Sequence, residues 1–93
     1  MNRVLLRSAA FIRAARKFIK RQPQSATDLE AAIQLLSADA FDPRLRTHKL
    51  SGELTGSWAC SAGCYLRIVF SFAMHEGNEA ILLETVGTHE DVY

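Results

Sequence analysis

The stretch Leu66-Arg67-Ile68-Val69-Phe70-Ser71-Phe72 decides how this chain folds. β-Branched and aromatic residues dominate it, as in a strand with one buried side. Alternation sets Leu66, Ile68, Phe70 and Phe72 on a core face and Arg67, Val69 and Ser71 on the other. An arginine within that run means the second face is partly open.

Strand grammar continues on both sides of this segment. Ser57-Trp58-Ala59-Cys60-Ser61 reads as a strand and Ala62-Gly63 as a turn. His75-Glu76-Gly77-Asn78 predicts a hairpin turn, from which Ala80 to Val86 returns antiparallel. Upstream, Thr47-His48-Lys49-Leu50 precedes the glycine-punctuated Ser51-Gly52-Glu53-Leu54-Thr55-Gly56. Before Pro43 the apolar period is helical. Phe11, Ile12, Ala15, Phe18 and Ile19 form one stripe after Ser8, with Arg and Lys opposite, and Gln22-Pro23 stops that helix. Thr27-Asp28-Leu29-Glu30 has the spacing of a capping box, followed by a second stripe of Leu29, Ala32, Ile33 and Leu36. That helix ends before Phe41-Asp42-Pro43, and Val4-Leu5-Leu6 reads as a short opening strand. The expected fold is α+β: an N-terminal strand, then a helical hairpin packed on a mostly antiparallel twisted sheet, as one domain over residues 1–93.

Composition agrees with a globular chain. Its 93 residues are 48% hydrophobic and 23% charged, and no apolar run approaches the ~18 residues that span a membrane. The segment MNRVLLRSAAFIRAARK has the arginines of a targeting peptide, but Arg7 and Arg13 interrupt its apolar part, so a cytoplasmic protein is expected. Net charge is only +1, yet residues 1–21 carry seven Lys or Arg and no acid. Residues 50–93 carry one, Arg67, against six acids. The first helix should therefore present a cationic face to solvent or to an anionic partner. Cys60 and Cys64 form a lone C-x3-C pair, which suits free thiols better than a zinc site or a disulfide.

Candidate chemistry lies at strand ends. Arg67 is either a sheet residue paired with Glu84 on the next strand or an anchor for an anionic group. Arg44, Arg46, His48 and Lys49 make a local phosphate-attracting cluster within six residues. The chain finishes Gly87-Thr88-His89-Glu90-Asp91-Val92-Tyr93, where small and charged residues would be usual. That tail is docked for packing or carries chemistry, whereas His75 in a hairpin tip reads as solvated. Two imidazoles can share general-base and general-acid duties, and an arginine can stabilise charge on a pentavalent phosphorus. RNA cleavage through the ribose 2′-OH needs no more than these parts. The sequence offers no metal-ligand cluster, glycine-rich phosphate loop or nucleophile elbow.

Three motifs together give the chain a family likeness: His48-Lys49-Leu50-Ser51-Gly52-Glu53-Leu54-Thr55-Gly56, Leu66-Arg67-Ile68-Val69-Phe70 and the Gly87–Tyr93 ending. They resemble the RelE/ParE toxin superfamily, in particular its RelE/StbE and YafQ-like members, over essentially the whole chain. The resemblance implies a RelE-like, microbial-ribonuclease-type core. It also implies the toxin of a type II toxin–antitoxin system, a ribosome-dependent endoribonuclease cutting mRNA in the A site without a cofactor. A cognate antitoxin would silence it in a hetero-oligomer. On this pattern His48, Arg67, His89 and Tyr93 are the implied catalytic residues, with Tyr93 stacking on or orienting the nucleotide. Arg44, Arg46 and Lys49 would hold RNA, and Lys49 would share the stabilisation of charge. The family's further histidine and aspartate are replaced by Ser61 and Tyr65. ParE-like inhibition of DNA gyrase without catalysis, and an inactive antitoxin-binding homologue, are the alternatives.

Overall fold

In a computed structural model that describes residues 3–52 and 56–92, the predicted α+β order is observed. Strand β1 (Val4–Arg7) leads into helices α1 (Ala9–Arg21) and α2 (Gln24–Ala38), then a 3-10 turn at Pro43–Leu45. Strands β2 (His48–Lys49), β3 (Trp58–Ala62), β4 (Leu66–His75) and β5 (Asn78–Thr88) follow, and a short helix α3 (His89–Val92) comes last. The sheet order is β1-β5-β4-β3-β2, with β1 parallel to β5 and the other neighbours antiparallel. No helix among the described residues is long and apolar enough to cross a membrane.

Local chemistry explains the helix ends. Ser8 caps α1 by accepting from the Phe11 amide at 3.0 Å, and its hydroxyl donates to the Glu84 carbonyl at 2.8 Å. One side chain thus fixes both the start of the helix and its attachment to β5. Lys20 and Arg21 occupy the last turn, where positive charge meets the carbonyl end of the helix dipole. Phe11 is buried and Ala14, Ala15, Phe18 and Ile19 pack beside it, but Ile12 stays exposed. One residue, about 100°, around the helix from Phe11, Ile12 falls at the margin of the stripe.

The capping box expected at Thr27–Glu30 does not form. Helix α2 already begins at Gln24, because Pro23 has helical torsions (φ −54°, ψ −27°). The Ser25 and Ala26 amides bond to the carbonyls of Gln22 and Pro23. Proline suits a first helical turn, where its missing N–H would have had no partner. Thr27 and Glu30 therefore lie inside the helix, and Glu30 accepts instead from Gln34 Nε2 at 3.2 Å.

The main core lies between the helical hairpin and one side of the sheet. Phe11, Leu29, Ala32 and Leu36 meet Cys60, Leu66, Ile68, Phe70, Ile81, Leu83 and Val86 there. Ile81, Leu83 and Val86 cannot share a face by simple alternation, and a bulge makes it possible. Val69 pairs with Thr85 while the next residue, Phe70, pairs with Leu83, so Glu84 is the extra residue on β5. At the opposite end of this hairpin, Glu76 and Gly77 both take positive φ (52° and 81°), the requirement of a two-residue turn that matches strand twist.

Phe70 is fully buried where both helices and three strands converge. Its replacement by alanine is expected to lower the unfolding free energy by about 3–5 kcal/mol in urea denaturation; a loss below about 1 kcal/mol would show that the hairpin does not rest on β4.

Candidate functional site

The face of the sheet away from the hairpin carries two ladder rungs that define the site. One rung is His48–Ala59–Val69–Thr85, and the next is Ser61–Arg67–Gly87. Directly paired residues share a face, so His48 and Arg67 stand on the same side, as do Ser61 and Thr85. Rungs on one face are about 7 Å apart and strands about 4.8 Å apart, which places His48 about 10 Å across the sheet from β4. His89 follows Gly87, the rung partner of Arg67, by two residues. The ladder thus sets His48 and Arg67 on one sheet face, and the chain carries His89 just beyond the rung that holds Arg67.

Arg67 is half-buried and donates through Nη1 to the Leu66 carbonyl at 2.9 Å. The ion pair with Glu84 does not form. Gly87, not Glu84, stands opposite Arg67, and the bulged Glu84 accepts from Ser57 Oγ at 2.8 Å. The ion pairs among the described residues join Arg3–Glu79, Arg44–Asp42 and His75–Glu76. Arg67 is in none of them, so among the described residues no carboxylate neutralises this guanidinium on the open face.

His48 is exposed on the edge strand β2 and its Nδ1 lies 2.9 Å from the Arg46 carbonyl. A carbonyl only accepts, so Nδ1 carries the proton and the neutral ring has its lone pair on Nε2. Arg46 presents that carbonyl from a left-handed conformation, φ 53° and ψ 42°.

The tail is docked by packing. Thr88 and Asp91 bond reciprocally: the Thr88 amide donates to Asp91 Oδ2 at 3.0 Å, and the Asp91 amide to Thr88 Oγ1 at 3.3 Å. This is the capping-box arrangement that the sequence suggested for the second helix, found instead at the third. Its signal was present in Thr88-His89-Glu90-Asp91, with aspartate in the place of glutamate. Val92 then reaches back over the sheet onto Leu50, Ala59 and Val69, a small second core. Gly87 permits this close return: a Cβ there would sit 2.7 Å from Asp91 Cβ. Tyr93, the fourth residue of the expected set, lies outside the described residues.

The basic cluster divides. Lys49 alternates to the hairpin side of the sheet, where its Nζ lies 5.4 Å from the centroid of the Trp58 ring, away from His48 and Arg67. Arg44 grips Asp42 through Nε and Nη2 at 3.0 and 2.9 Å, and this holds the Asp42 carboxyl down to about 2. Arg46 is exposed two residues before His48.

One neighbourhood escaped the sequence reading. An open groove of about 380 Å³ is lined by Cys64, Tyr65, Thr88, His89 and Glu90. It joins the β3–β4 turn to the start of α3, and only folding brings those segments together. Cys64 is an exposed free thiol, whereas Cys60 is buried and burial pushes its thiol up to about 12. Among the described residues no three of His, Cys, Asp and Glu gather as a metal site would require.

No protein-family model matches the chain, and no curated protein matches it in sequence. Solved structures do match in fold. The YoeB/ParE toxin from Agrobacterium tumefaciens superposes with a TM-score of 0.75 at 12% identity, covering 92% of this chain and 98% of that one. YafQ from E. coli gives 0.74 at 14% identity and 98% coverage of both chains. YafQ in the E. coli DinJ–YafQ toxin–antitoxin complex gives 0.72 at 15% identity, covering 100% and 99%. The chain therefore has the fold of the YoeB and YafQ toxins, as the motif resemblance implied.

Asp91 is held below its ordinary carboxyl value of 3.8, first by the Thr88 amide, then by the Thr88 hydroxyl and the cations Lys17 and Arg21. A lowered folded-state value stabilises the closed tail above about pH 4 and loses that effect as pH falls through it. Protection of the Thr88 amide, its hydrogen-exchange rate taken against the intrinsic rate at the same pH, is expected to fall on acidification in the native chain but not in Asp91→Asn, which has no titrating carboxyl. Gly87→Ala should open the same tail at neutral pH; an unchanged Thr88 exchange rate in that variant would contradict the close packing.

Proposed function

We propose that this chain is the toxin of a type II toxin–antitoxin pair and cleaves mRNA on the ribosome. The observation that carries this reading is Arg67, a guanidinium with no ion-pair partner among the described residues, on the same sheet face as His48 and on the rung whose β5 member, Gly87, precedes His89 by two residues. The likeness in fold to YoeB and YafQ supports it.

In the proposed reaction one imidazole takes the proton of a ribose 2′-OH, and that oxygen attacks the adjacent phosphorus. Charge grows on the phosphoryl oxygens, where Arg67 offers a planar fork of donors. The second imidazole gives a proton to the departing 5′-oxygen, leaving a 2′,3′-cyclic phosphate and a 5′-hydroxyl. The Nδ1–H tautomer fixed by the Arg46 carbonyl suits His48 to the role of base, and His89 to that of acid. DNA lacks the nucleophile and is spared. Tyr93 would stack on the nucleotide, and Arg44, Arg46 and Lys49 together with α1 would meet the ribosomal RNA. The cognate antitoxin is the counterpart of DinJ in the DinJ–YafQ complex.

Induced expression followed by mapping of mRNA ends tests this reading. Growth arrest with in-frame cuts is expected, and Arg67→Ala or His89→Ala should lower cleavage by roughly 10²- to 10⁴-fold. Arrest with an SOS response and intact mRNA would instead indicate inhibition of gyrase. No arrest at all would leave antitoxin binding as the function.

A further inference from the structure

We infer that Tyr65 is a stacking platform for one base of single-stranded RNA, in a subsite that runs from His89 to the end of α1. The inference rests on the RNA-cleaving reading and adds a binding residue to it. Tyr65 stands in the turn between β3 and β4 and is 55% exposed. Its ring borders two hollows. One is the groove with Cys64, Thr88, His89 and Glu90, and the other is lined by Phe18, Arg21 and Gln22. A half-exposed aromatic residue that lines both hollows offers a surface on which any base can stack.

The turn that carries this ring is firmly seated. Gly63 takes φ +66°, and a Cβ there would lie 2.7 Å from Asp28 Cγ on α2. Ala62 and Leu66 close the turn as a ladder pair, and both are buried. Tyr65 is thus presented by a fixed backbone, which lowers the ordering cost of binding.

Charge around the ring fits one nucleotide. Arg21 lines the α1 side, and it and Lys17 lie near enough to Asp91 to hold its carboxyl down. A phosphate following a base on Tyr65 meets these cations. In the groove itself Glu90 would repel a phosphate, but its carboxylate can accept from the amino group of a base edge. His89 lines the same groove as Tyr65, so a base stacked on Tyr65 would bring the neighbouring phosphodiester towards an imidazole.

Cys64 reports occupancy of the groove without any need for catalysis, since Cys60 is buried and its thiol is pushed up to about 12. The experiment titrates the purified full chain with a short 2′-O-methyl oligoribonucleotide, which has no nucleophile, reading fluorescence anisotropy and the rate of Cys64 alkylation by iodoacetamide. RNA is expected to slow alkylation. Tyr65→Phe should bind within about twofold of the native chain, whereas Tyr65→Ala should bind roughly 5- to 150-fold more weakly. Arg21→Ala should weaken binding and flatten its salt dependence. Equal binding by Tyr65→Ala, unaltered Cys64 alkylation with RNA bound, or no RNA binding by the native chain would each overturn the inference. Tyr65-dependent binding without cleavage of mRNA would sink the nuclease reading alone. Cleavage that needs Arg67 and His89 but not Tyr65 would sink the stacking site alone.

Discussion

Strand β4 supports two different surfaces, and the register of β5 against it determines whether both can exist. Leu66, Ile68 and Phe70 point under the helices while Arg67 and Val69 point away. The partner strand has to supply apolar residues to the first side and leave room on the second. The extra residue at Glu84 reconciles these demands. It lets Leu83 and Val86 both enter the main core, and it brings Gly87 opposite Arg67. A β5 strand without the bulge would turn one of those apolar residues out to the open face, because a one-residue slip exchanges the faces. Ser8 and Ser57 hold the bulge from its two polar ends, through the Glu84 carbonyl and carboxylate.

From that register the tail follows. Gly87 lets the backbone pass close to Asp91, the Thr88–Asp91 pair starts a single helical turn, and Val92 closes onto Ala59 and Val69. Packing and chemistry were alternatives for these residues in the sequence, and packing is the one that the described residues display. The clamp that buries Val92 belongs to the same helical turn as His89, which lines the groove beside the Tyr65 turn. Electrostatics adds a division of labour. Arg3 and Arg44 are engaged by Glu79 and Asp42, whereas the exposed side of α1 carries a run of cations that reaches the Tyr65 turn at Arg21.

Much of this was legible in the sequence because its period is physical. Alternation in Leu66–Phe72 assigned the two faces correctly, and the 3.6-residue spacing of Leu29, Ala32 and Leu36 located a helix that buries them. The stop at Gln22-Pro23 fell where α1 ends, and α2 ends at Ala38, before Phe41-Asp42-Pro43 as expected. Errors came where a local pattern had two readings. Thr27–Glu30 and Thr88–Asp91 have the same cap spacing, and what separates them is the start of helix α2 at Pro23, which the cap rule does not weigh. Lys49 adjoins His48 in the chain, but neighbours on a strand face opposite ways, so the basic cluster is divided between two sides of the sheet.

The sequence by itself determined the element order, the buried stripes and the amphipathic split of β4, since these depend on spacing along the chain and on little else. Tertiary structure decided which distant residues meet: the bulge that sets Gly87 against Arg67, the return of Val92, and the groove shared by Tyr65 and His89. Those contacts depend on strand register and on the close approach of one backbone to another side chain. Both are set by the balance of packing over the whole molecule, and no short window of residues contains that balance.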